Sequence, residues 1–236
     1  MPKLNLESNA PIVCSIGGSM VVPTEKPNVE FLRALKELVK RQTSEGMKFV
    51  FVIGGGRTCR NYLEAAESVG DISNDELDWL GIQSTYLNAH LVKTILGDLA
   101  YPEVLHGDLP NAFEWGDASV LISGGQKPGQ SSDYPTAEIA HKLGATHIIN
   151  ASNIDHVYSE DPRNNPDATP FDEISWADYR GMIPSTWTPG LSAPFDPTAS
   201  EFCERHHIAV AIVNGEPIDE LRHAILGNKF NGTLIS

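Results

Sequence analysis

The sequence predicts an α/β protein built on a mostly parallel sheet, and three observations support this fold class. Short apolar segments alternate with segments of helical periodicity along the chain, which is typical of βαβ units. The apolar segments carry few polar residues, so both faces of each strand are expected to be buried. Four of the strands run into glycine-rich or polar loops, and ligands of such sheets bind at the carboxyl ends of the strands.

The individual elements follow from local sequence signals. Strands are predicted at residues 11–16, 49–53, 118–123, 146–151 and 208–213, with a short edge strand at 232–235. Helices are predicted at residues 29–45, 75–96, 135–143, 175–181 and 197–206, with two more ending at residue 69 and beginning at residue 217. Asn28, Asn74 and Asp196 are expected to cap three of these helices. The helix ending at residue 69 is expected to carry Cys59, Tyr62, Leu63, Ala66 and Val69 on one face, with Gly70 as its stop.

Composition narrows the possible classes of function. The chain has 236 residues, enough for one large domain or two small ones, and a formal charge of −14 argues against non-specific nucleic-acid binding. No apolar run approaches the roughly 20 residues of a membrane span. The three cysteines are widely spaced in apolar patterns, which indicates reduced thiols in a cytoplasmic protein.

The most informative stretch is the strand at 49–53, which is followed by Gly54-Gly55-Gly56 and then by a helix. Free backbone N–H groups and the positive end of a helix meet there, and this combination binds phosphate. Arg57 and Arg60 add positive charge and forked donors. The alternative is a tight turn that packs the helix against the sheet, although each glycine then adds an entropic cost that a simple turn does not need.

Three further loops also follow predicted strands, at residues 17–19, 124–133 and 152–161. Because the carboxyl ends of parallel strands meet at one edge, all four loops are expected to contact the same ligands. This convergence predicts a nucleotide together with a second anionic substrate. The three consecutive glycines would then let backbone approach both ligands without an intervening Cβ.

Several common motifs are missing from the sequence. It contains no G-x-x-x-x-G-K-[ST] phosphate loop, no G-x-G-x-x-G after the first strand and no G-x-S-x-G nucleophile elbow. No cysteine and histidine spacing is typical of a zinc site. His206 and His207 end a predicted helix, where a cation is favourable, so no metal role is expected for them.

The loops resemble those of the amino acid kinase superfamily and, within it, the archaeal-type uridylate (UMP) kinases. The matching segments keep the family's order and lie at residues 15–23, 52–62, 77–89, 124–133, 150–162, 196–199 and 231–233. The element N-x-D-x-V-Y-x-x-D-P is typical of the superfamily. The elements G-G-x-x-P-G-Q-S and L-G-I-x-x-T-x-L-N-A indicate the UMP kinases.

The resemblance implies a three-layer α/β/α sandwich of the amino acid kinase fold, in one domain spanning residues 1–236. Residues 1–145 would form the acceptor half, and residues 146–236 would form the ATP-binding half. The implied reaction transfers the γ-phosphate of ATP to UMP, giving ADP and UDP in pyrimidine biosynthesis. It also implies nucleotide-bound Mg²⁺ without a metal site on the protein, and a homo-oligomer, commonly a hexamer.

The resemblance assigns roles by position. ATP would contact Gly17, Gly18, Ser19, Gly56, Arg60, Ser152, Asn153, Tyr158 and Asp161. UMP would contact Gly55, Asp78, Gly125, Gln126, Lys127, Pro128, Gly129, Gln130 and Ser131. The catalytic residues would be Arg57, Lys127 and Asp133. Asp133 would orient cations rather than act as a base, since a phosphate acceptor is already ionised; the alternative is a cap for the helix at Pro135.

Three positions depart from the family pattern. Ser15 stands where many members have lysine, Tyr86 replaces a common arginine, and His156 replaces the usual glycine. If that glycine has a positive φ, histidine there costs about 1 kcal/mol or more. Two alternatives therefore stay open: a kinase of the same fold with another small acceptor, and a non-catalytic nucleotide or oxyanion binder.

Overall fold

The structure is a computed structural model that describes residues 1–6, 10–110, 113–188, 191 and 193–236. Its strands are Ile12–Ile16 (β1), Phe49–Ile53 (β2), Val120–Ser123 (β3), His147–Ser152 (β4), Val157–Tyr158 (β5), Pro170–Phe171 (β6), Glu173–Ile174 (β7), Ala209–Asn214 (β8) and Gly232–Ile235 (β9). Its α-helices are Gly18–Val21 (α1), Val29–Ser44 (α2), Gly56–Val69 (α3), Asn74–Leu96 (α4), Asp133–Lys142 (α5), Trp176–Met182 (α6), Pro197–His206 (α7) and Asp219–Ile225 (α8).

Within the described ranges, seven strands form one sheet in the order β3-β2-β1-β4-β8-β9-β7. The strands from β3 to β8 in this order run parallel. β9 runs antiparallel to β8 and parallel to β7. The predicted parallel sheet is confirmed, but the predicted edge position of residues 232–235 is wrong, because β7 covers β9.

The side chains of β2 alternate between two hydrophobic cores, one on each face of the sheet. Phe49 and Phe51 pack into the core formed with α2, α4 and α8, whereas Val50 and Val52 pack into the core formed with α5, α6 and α7. All five residues of β2 are buried. The fold is therefore a three-layer α/β/α sandwich, as the resemblance implies.

The helix caps mostly follow the predicted signals. The side chain of Asn28 accepts the backbone N–H of Phe31 at 3.1 Å, and Asp196 accepts two backbone N–H groups at the start of α7. α4 is capped by Ser73 rather than by Asn74, because the Ser73 hydroxyl accepts a backbone N–H of the first turn. The predicted cap at Asn74 is therefore wrong by one position.

The apolar face of α3 is not buried. Every residue of α3 is described and none is buried; Tyr62 is 61% exposed and Val69 is 88% exposed. Three more large apolar side chains, Ile72, Trp79 and Leu87, are exposed on α4 or in the turn before it. We call these five residues the α3–α4 apolar surface. Helical periodicity identifies an apolar stripe, but periodicity alone does not determine whether that stripe is buried.

All three cysteines are free thiols. Cys14 and Cys203 are buried, as predicted, whereas Cys59 is only partly buried. Burial raises the pKa of all three thiols, since a thiolate loses its hydration in an apolar environment. In the described part of the chain, no helix is both long enough and apolar enough to cross a membrane.

Candidate active site

The carboxyl ends of β3, β2, β1 and β4 lie side by side at one edge of the sheet. Each of these strands ends where one of the predicted ligand loops begins. The chain builds the sheet outward from β1 to β3 and then crosses to β4 on the other side of β1. α/β sheets bind ligands in the crevice at such a reversal of strand order, so this edge is the candidate active site.

The glycine loops that follow β1 and β2 pack backbone against backbone. A Cβ on Gly18 would lie 1.9 Å from the amide nitrogen of Gly56, and one on Gly54 would lie 2.6 Å from the amide nitrogen of Gly18. Gly56 also has a φ of +61°, which favours glycine. Contact between the two loops therefore already requires these glycines. That they also admit phosphate stays a prediction.

Asn88 of α4 holds the glycine loop that follows β2. Its side-chain nitrogen donates to the carbonyl oxygens of Gly54 and Gly55 at 2.9 and 3.0 Å. Asn88 is 2% exposed, so the hydrogen bonds form away from water and hold the loop tightly. A Cβ on Gly55 would lie 2.5 Å from the Ser84 hydroxyl, which shows how closely α4 approaches this loop.

The predicted cations of the site differ in their surroundings. The Arg57 guanidinium lies between two carboxylates, with Nε 3.6 Å from Glu25 and an Nη 3.2 Å from Glu64. Arg60 and Lys127 are exposed, and neither forms an ion pair with a described residue. Arg57 is therefore already paired with two carboxylates, whereas Arg60 and Lys127 are paired with no described carboxylate.

The loop at residues 124–131 is anchored to α4 by hydrogen bonds. The amide of Gly125 donates to the Thr85 hydroxyl at 2.8 Å, and the Tyr86 hydroxyl donates to the Gly125 carbonyl at 2.6 Å. Tyr86 stands where the family commonly has arginine, and here it supports the base of the loop. The loop is therefore held in place before any ligand binds.

Asp78 of α4 holds the tip of the same loop. One carboxylate oxygen accepts the N–H of Gly129 at 2.7 Å, and the other lies 3.5 Å from the indole nitrogen of Trp187. A carboxylate has about four acceptor positions, so Asp78 keeps capacity for a further donor. The prediction that it binds a ribose hydroxyl is thus compatible with its structural role.

Asp133 joins the two halves of the site. One carboxylate oxygen accepts the Ser15 hydroxyl at 2.9 Å and the Asn150 amide at 3.3 Å, and the other accepts the Asp196 N–H at 3.2 Å. These donors come from β1, β4 and the start of α7. Asp196 is buried, and its own carboxylate accepts the N–H of Ser131 at 2.8 Å.

The electrostatic environment of Asp133 disfavours its charge. Burial, followed by the negative charge of Asp196, raises the pKa of Asp133 to about 7, and the hydrogen bond from Ser15 offsets only part of this shift. In the described part of the chain, no lysine or arginine forms an ion pair with Asp133. The site therefore holds a carboxylate that a nearby cation would stabilise.

The alternative that Asp133 only caps a helix is not supported. α5 begins at Asp133 rather than at Pro135, and Ser132 occupies the cap position. The Asp133 carboxylate binds groups from three other elements rather than backbone N–H groups of α5. Asp133 therefore connects β1, β4 and the start of α7 at this edge of the sheet.

The predicted donor-side residues begin where β4 ends beside the first glycine loop. The amide of Gly17 donates to the carbonyl of Ala151 at 2.7 Å, and a Cβ on Gly17 would lie 3.3 Å from Ser152. The Gly215 amide donates to the Ser152 carbonyl at 2.9 Å. The ends of β1, β4 and β8 therefore meet around Gly17 and Ser152.

The remaining predicted donor residues lie farther along the chain at the surface. The Tyr158 hydroxyl is 3.3 Å from the Asp155 carboxylate, and Asp161 forms a hydrogen-bonded ion pair with Arg163 at 2.8 Å. The donors of Arg163 lower the pKa of Asp161. Asn153 is exposed. The structure thus shows Asp161 paired with arginine, and its contact with adenosine stays a prediction.

His156 does not carry the predicted backbone strain. His207, at the end of α7, is the described non-glycine residue with a positive φ, and His156 is not in that conformation. The His156 ring is 8% exposed and packs with its edge against Tyr158, at 6.1 Å between ring centroids. Histidine at this position is therefore accommodated by packing.

The fold and site together define a nucleotide-kinase-like α/β/α sandwich with two interlocked glycine loops at one sheet edge. The model of the amino acid kinase family matches residues 10–214. The chain belongs to the amino acid kinase family.

Relatives match over nearly the whole chain. A uridylate kinase of Pyrococcus abyssi is 36% identical over 228 residues, covering 95% of this chain and 98% of the relative. A uridylate kinase of Methanocaldococcus jannaschii is 33% identical over 230 residues, covering 95% and 98%. The crystal structure of a uridylate kinase from Archaeoglobus fulgidus has a TM-score of 0.76 at 26% identity, covering 95% of this chain and all of that chain.

Sequence reasoning missed the buried polar groups that position the site. Asn88 and Asn150 are buried at 2% and 4% exposure, and Asp196 was interpreted only as a helix cap. Asn150 could have been noticed, because it interrupts an apolar strand; Asn88 is recognisable from the sequence as a polar interruption of its helix, but that pattern assigns it no role. Such residues need a hydrogen-bond partner, which marks them as organising residues.

Proposed function

We propose that the protein is a UMP kinase that transfers the γ-phosphate of ATP to UMP and releases ADP and UDP. The observation that carries this proposal is Asp133, which links Ser15, Asn150 and Asp196 at the reversal of strand order. The carboxylate is placed where an acceptor and a donor nucleotide would meet. The full-length similarity to uridylate kinases supports UMP as the acceptor.

The proposed division of labour follows the sheet. Residues 1–145 would bind the acceptor and residues 146–236 would bind ATP, with the boundary between β1 and β4. On the acceptor side, the loop at 125–131 and Asp78 are already connected by the Gly129 hydrogen bond. On the donor side, Gly17 and Ser152 lie in contact, next to Gly18 and Ser19.

Phosphoryl transfer needs positioning and charge neutralisation more than covalent help. Lys127, Arg57 and Arg60 would neutralise the anionic oxygens, and the backbone N–H groups of the glycine loops would orient them. The acceptor phosphate is already ionised, so the reaction needs no general base. Asp133 would instead hold the cations of the reaction in position.

Bound to the nucleotide, Mg²⁺ would neutralise the phosphate oxygens during transfer. In the described part of the chain, no group of three or more His, Cys, Asp or Glu side chains is arranged to hold a metal. Mg²⁺ is commonly bound through one or two carboxylates together with substrate phosphates. Asp133 suits this arrangement, since burial without a basic partner makes a nearby cation favourable.

A panel assay tests the function. The protein is incubated with ATP, Mg²⁺ and a set of nucleoside monophosphates and small acceptors, and ADP release is measured. Highest turnover with UMP is the expected result. Turnover only with a different acceptor, or nucleotide binding without turnover, would contradict the proposal.

Substitution of the two predicted cations tests the site. Lys127→Ala and Arg57→Ala should each lower kcat by roughly 100-fold, the usual effect of removing one donor to a transition-state charge. Arg33→Ala and Lys36→Ala are matched controls, since both side chains are exposed on α2. Near-wild-type rates in both site variants would show that the charge assignment is wrong.

The three family departures do not favour a non-catalytic binder. Ser15 donates to Asp133, Tyr86 supports Gly125, and His156 packs without a positive φ. Each substituted side chain thus has a defined contact within the site. The kinase hypothesis needs no correction from them.

We also propose that the chain forms a homo-oligomer, with a hexamer as the expected state, in the cytoplasm. The α3–α4 apolar surface supports association, because it places five exposed large apolar side chains on two adjacent helices and the turn between them. The three free thiols support a reducing compartment. Light scattering on the wild type and on Tyr62→Glu tests the assembly: the substitution should produce smaller species, and a monomeric wild type would refute it.

A further inference from the structure

Three side chains, two amides and one carboxylate, are joined by hydrogen bonds and support the loop at residues 124–131. The side-chain nitrogen of Gln126 donates to the Glu138 carboxylate of α5 at 3.1 Å. The side-chain nitrogen of Gln130 then donates to the side-chain oxygen of Gln126 at 2.8 Å. We call Glu138, Gln126 and Gln130 the amide relay.

The direction of the relay is fixed at Gln126. Its nitrogen faces two groups that can only accept, the Glu138 carboxylate at 3.1 Å and the Gly107 carbonyl at 3.3 Å. The Gln126 oxygen must therefore point the other way, where it receives Gln130. Close packing holds this arrangement, since a Cβ on Gly107, whose φ is +75°, would lie 2.4 Å from the Gln126 Cβ.

The orientation of the Gln126 amide also determines the orientation of the Gln130 amide. Because the Gln130 nitrogen is held by Gln126, its side-chain oxygen is left pointing away from the relay as an acceptor. No described residue donates to this oxygen. Gln130 lies between the anchors of the loop, Gly129 on Asp78 and Ser131 on Asp196, on the acceptor side of the proposed site.

An amide alone cannot distinguish the two pyrimidines. Uracil offers an N–H donor at N3, whereas cytosine offers a bare acceptor nitrogen there. A free glutamine can rotate its amide by 180° and present either its oxygen or its nitrogen, so it would match both bases. Discrimination requires that something hold the amide in one orientation.

We propose that Glu138 is a positioning residue that selects uracil over cytosine through Gln126 and Gln130. The relay presents the Gln130 oxygen to the N3–H of uracil, and the same oxygen would face the lone pair of cytosine N3. This inference rests on the proposed function, because it assigns the base specificity of that acceptor site. With cytosine, two acceptors would face each other without a hydrogen between them, and this lowers the binding free energy of CMP relative to UMP.

The test compares UMP and CMP as acceptors for the wild type, Glu138→Gln and Glu138→Asp. A glutamine at 138 can accept or donate, so only the weaker bond to the Gly107 carbonyl still fixes the orientation of Gln126, whereas aspartate keeps an acceptor-only group. The ratio of kcat/KM for UMP to that for CMP should fall by about 10-fold in Glu138→Gln. It should stay near the wild-type value in Glu138→Asp and in the control Glu201→Gln, an exposed glutamate of α7.

A purely structural role would lower both activities equally and leave the ratio unchanged, and that result would overturn the proposal. Should Glu138→Gln fail to fold, Gln130→Met removes the amide but keeps the side-chain length. It should lower the UMP to CMP ratio by a similar factor, and an unchanged ratio again overturns the relay. A wild type that phosphorylates neither pyrimidine nucleotide would instead refute the proposed function itself, and the relay with it.

Discussion

Substituting Asp133 by asparagine should stabilise the protein in a manner that depends on pH. Asp133 has a pKa of about 7 in the folded protein against an ordinary value of 3.8, mainly because of burial. The folded state therefore binds this proton more tightly than the unfolded chain. Stability is lost as the pH rises from about 4 to about 7, because the folded protein must then hold an unfavourable carboxylate.

The size of this effect follows from the shift. A difference of about three pH units corresponds to up to about 4 kcal/mol of lost stability above pH 7. Asparagine carries no charge and does not titrate, but its amide nitrogen cannot accept the Asp196 N–H that the second carboxylate oxygen accepts, which costs about 1–3 kcal/mol at every pH. The stability of Asp133→Asn relative to the wild type should therefore rise by up to about 4 kcal/mol between pH 3 and pH 9, and the variant should be the more stable of the two near pH 9.

Thermal unfolding at a series of pH values measures the difference, with Asp167→Asn, an exposed turn residue, as the control. For a chain of this size, each kcal/mol raises Tm by about 2–4 °C. The same variant should lose turnover, because under the proposed function this carboxylate would position the cations. Equal stability of Asp133→Asn and the wild type at pH 9, or a difference that does not change with pH, would refute the reasoning.

Four further outcomes are expected. In the wild type, kcat/KM should fall as the pH drops below about 7, because Asp133 becomes protonated; a flat profile from pH 5 to 8 would contradict this. Gly18→Ala should lower the unfolding free energy by about 3 kcal/mol or more, because its Cβ would lie 1.9 Å from the Gly56 nitrogen. Gly181→Ala, with open space around it, should stabilise α6 by about 0.5–1 kcal/mol, and denaturant titration compares the two. Lys127→Ala should keep the wild-type Tm despite its loss of turnover, since that side chain is exposed.

The order and type of the main elements were predictable because local signals specify them. The apolar run at 49–53 coincides with β2, and Asn28 and Asp196 cap the helices that they were predicted to cap. A predicted helix boundary differed from the observed one where two neighbouring residues could each cap the helix. Ser73 and Asn74 are both good caps, and only the backbone conformation decides between them.

Burial of a helix face could not be predicted in the same way. The apolar stripe of α3 has the period of a core helix, yet Tyr62 and Val69 are exposed in the chain alone. A sequence pattern records that a face needs a partner, not whether the partner belongs to the same chain. The position of β9 failed for a similar reason, since pairing with β7 depends on a crossing of the chain that local patterns do not contain.

The candidate site shows the same division between local and long-range information. The loops were found by their glycines, but the reason for the glycines at 18, 54 and 56 is a contact between two loops that are far apart in sequence. The polar groups that orient the site are equally non-local, since Asp133 receives donors from residues 15, 150 and 196. A motif identifies which residues approach a ligand, whereas the donors behind them appear only when the sheet brings the strands together.

Ser15 illustrates how this bears on the chemistry. Lysine, common at this position in the family, would place a positive charge beside Asp133, whereas the serine hydroxyl gives a neutral hydrogen bond of 2.9 Å. A neutral donor stabilises a carboxylate less than a cation does, so the pKa of Asp133 remains raised. The compensating positive charge would then come with the substrates or from Arg57, Arg60 and Lys127. The carboxylate is therefore most stable when nucleotides and their cations are bound, which couples the charge of this site to its occupancy.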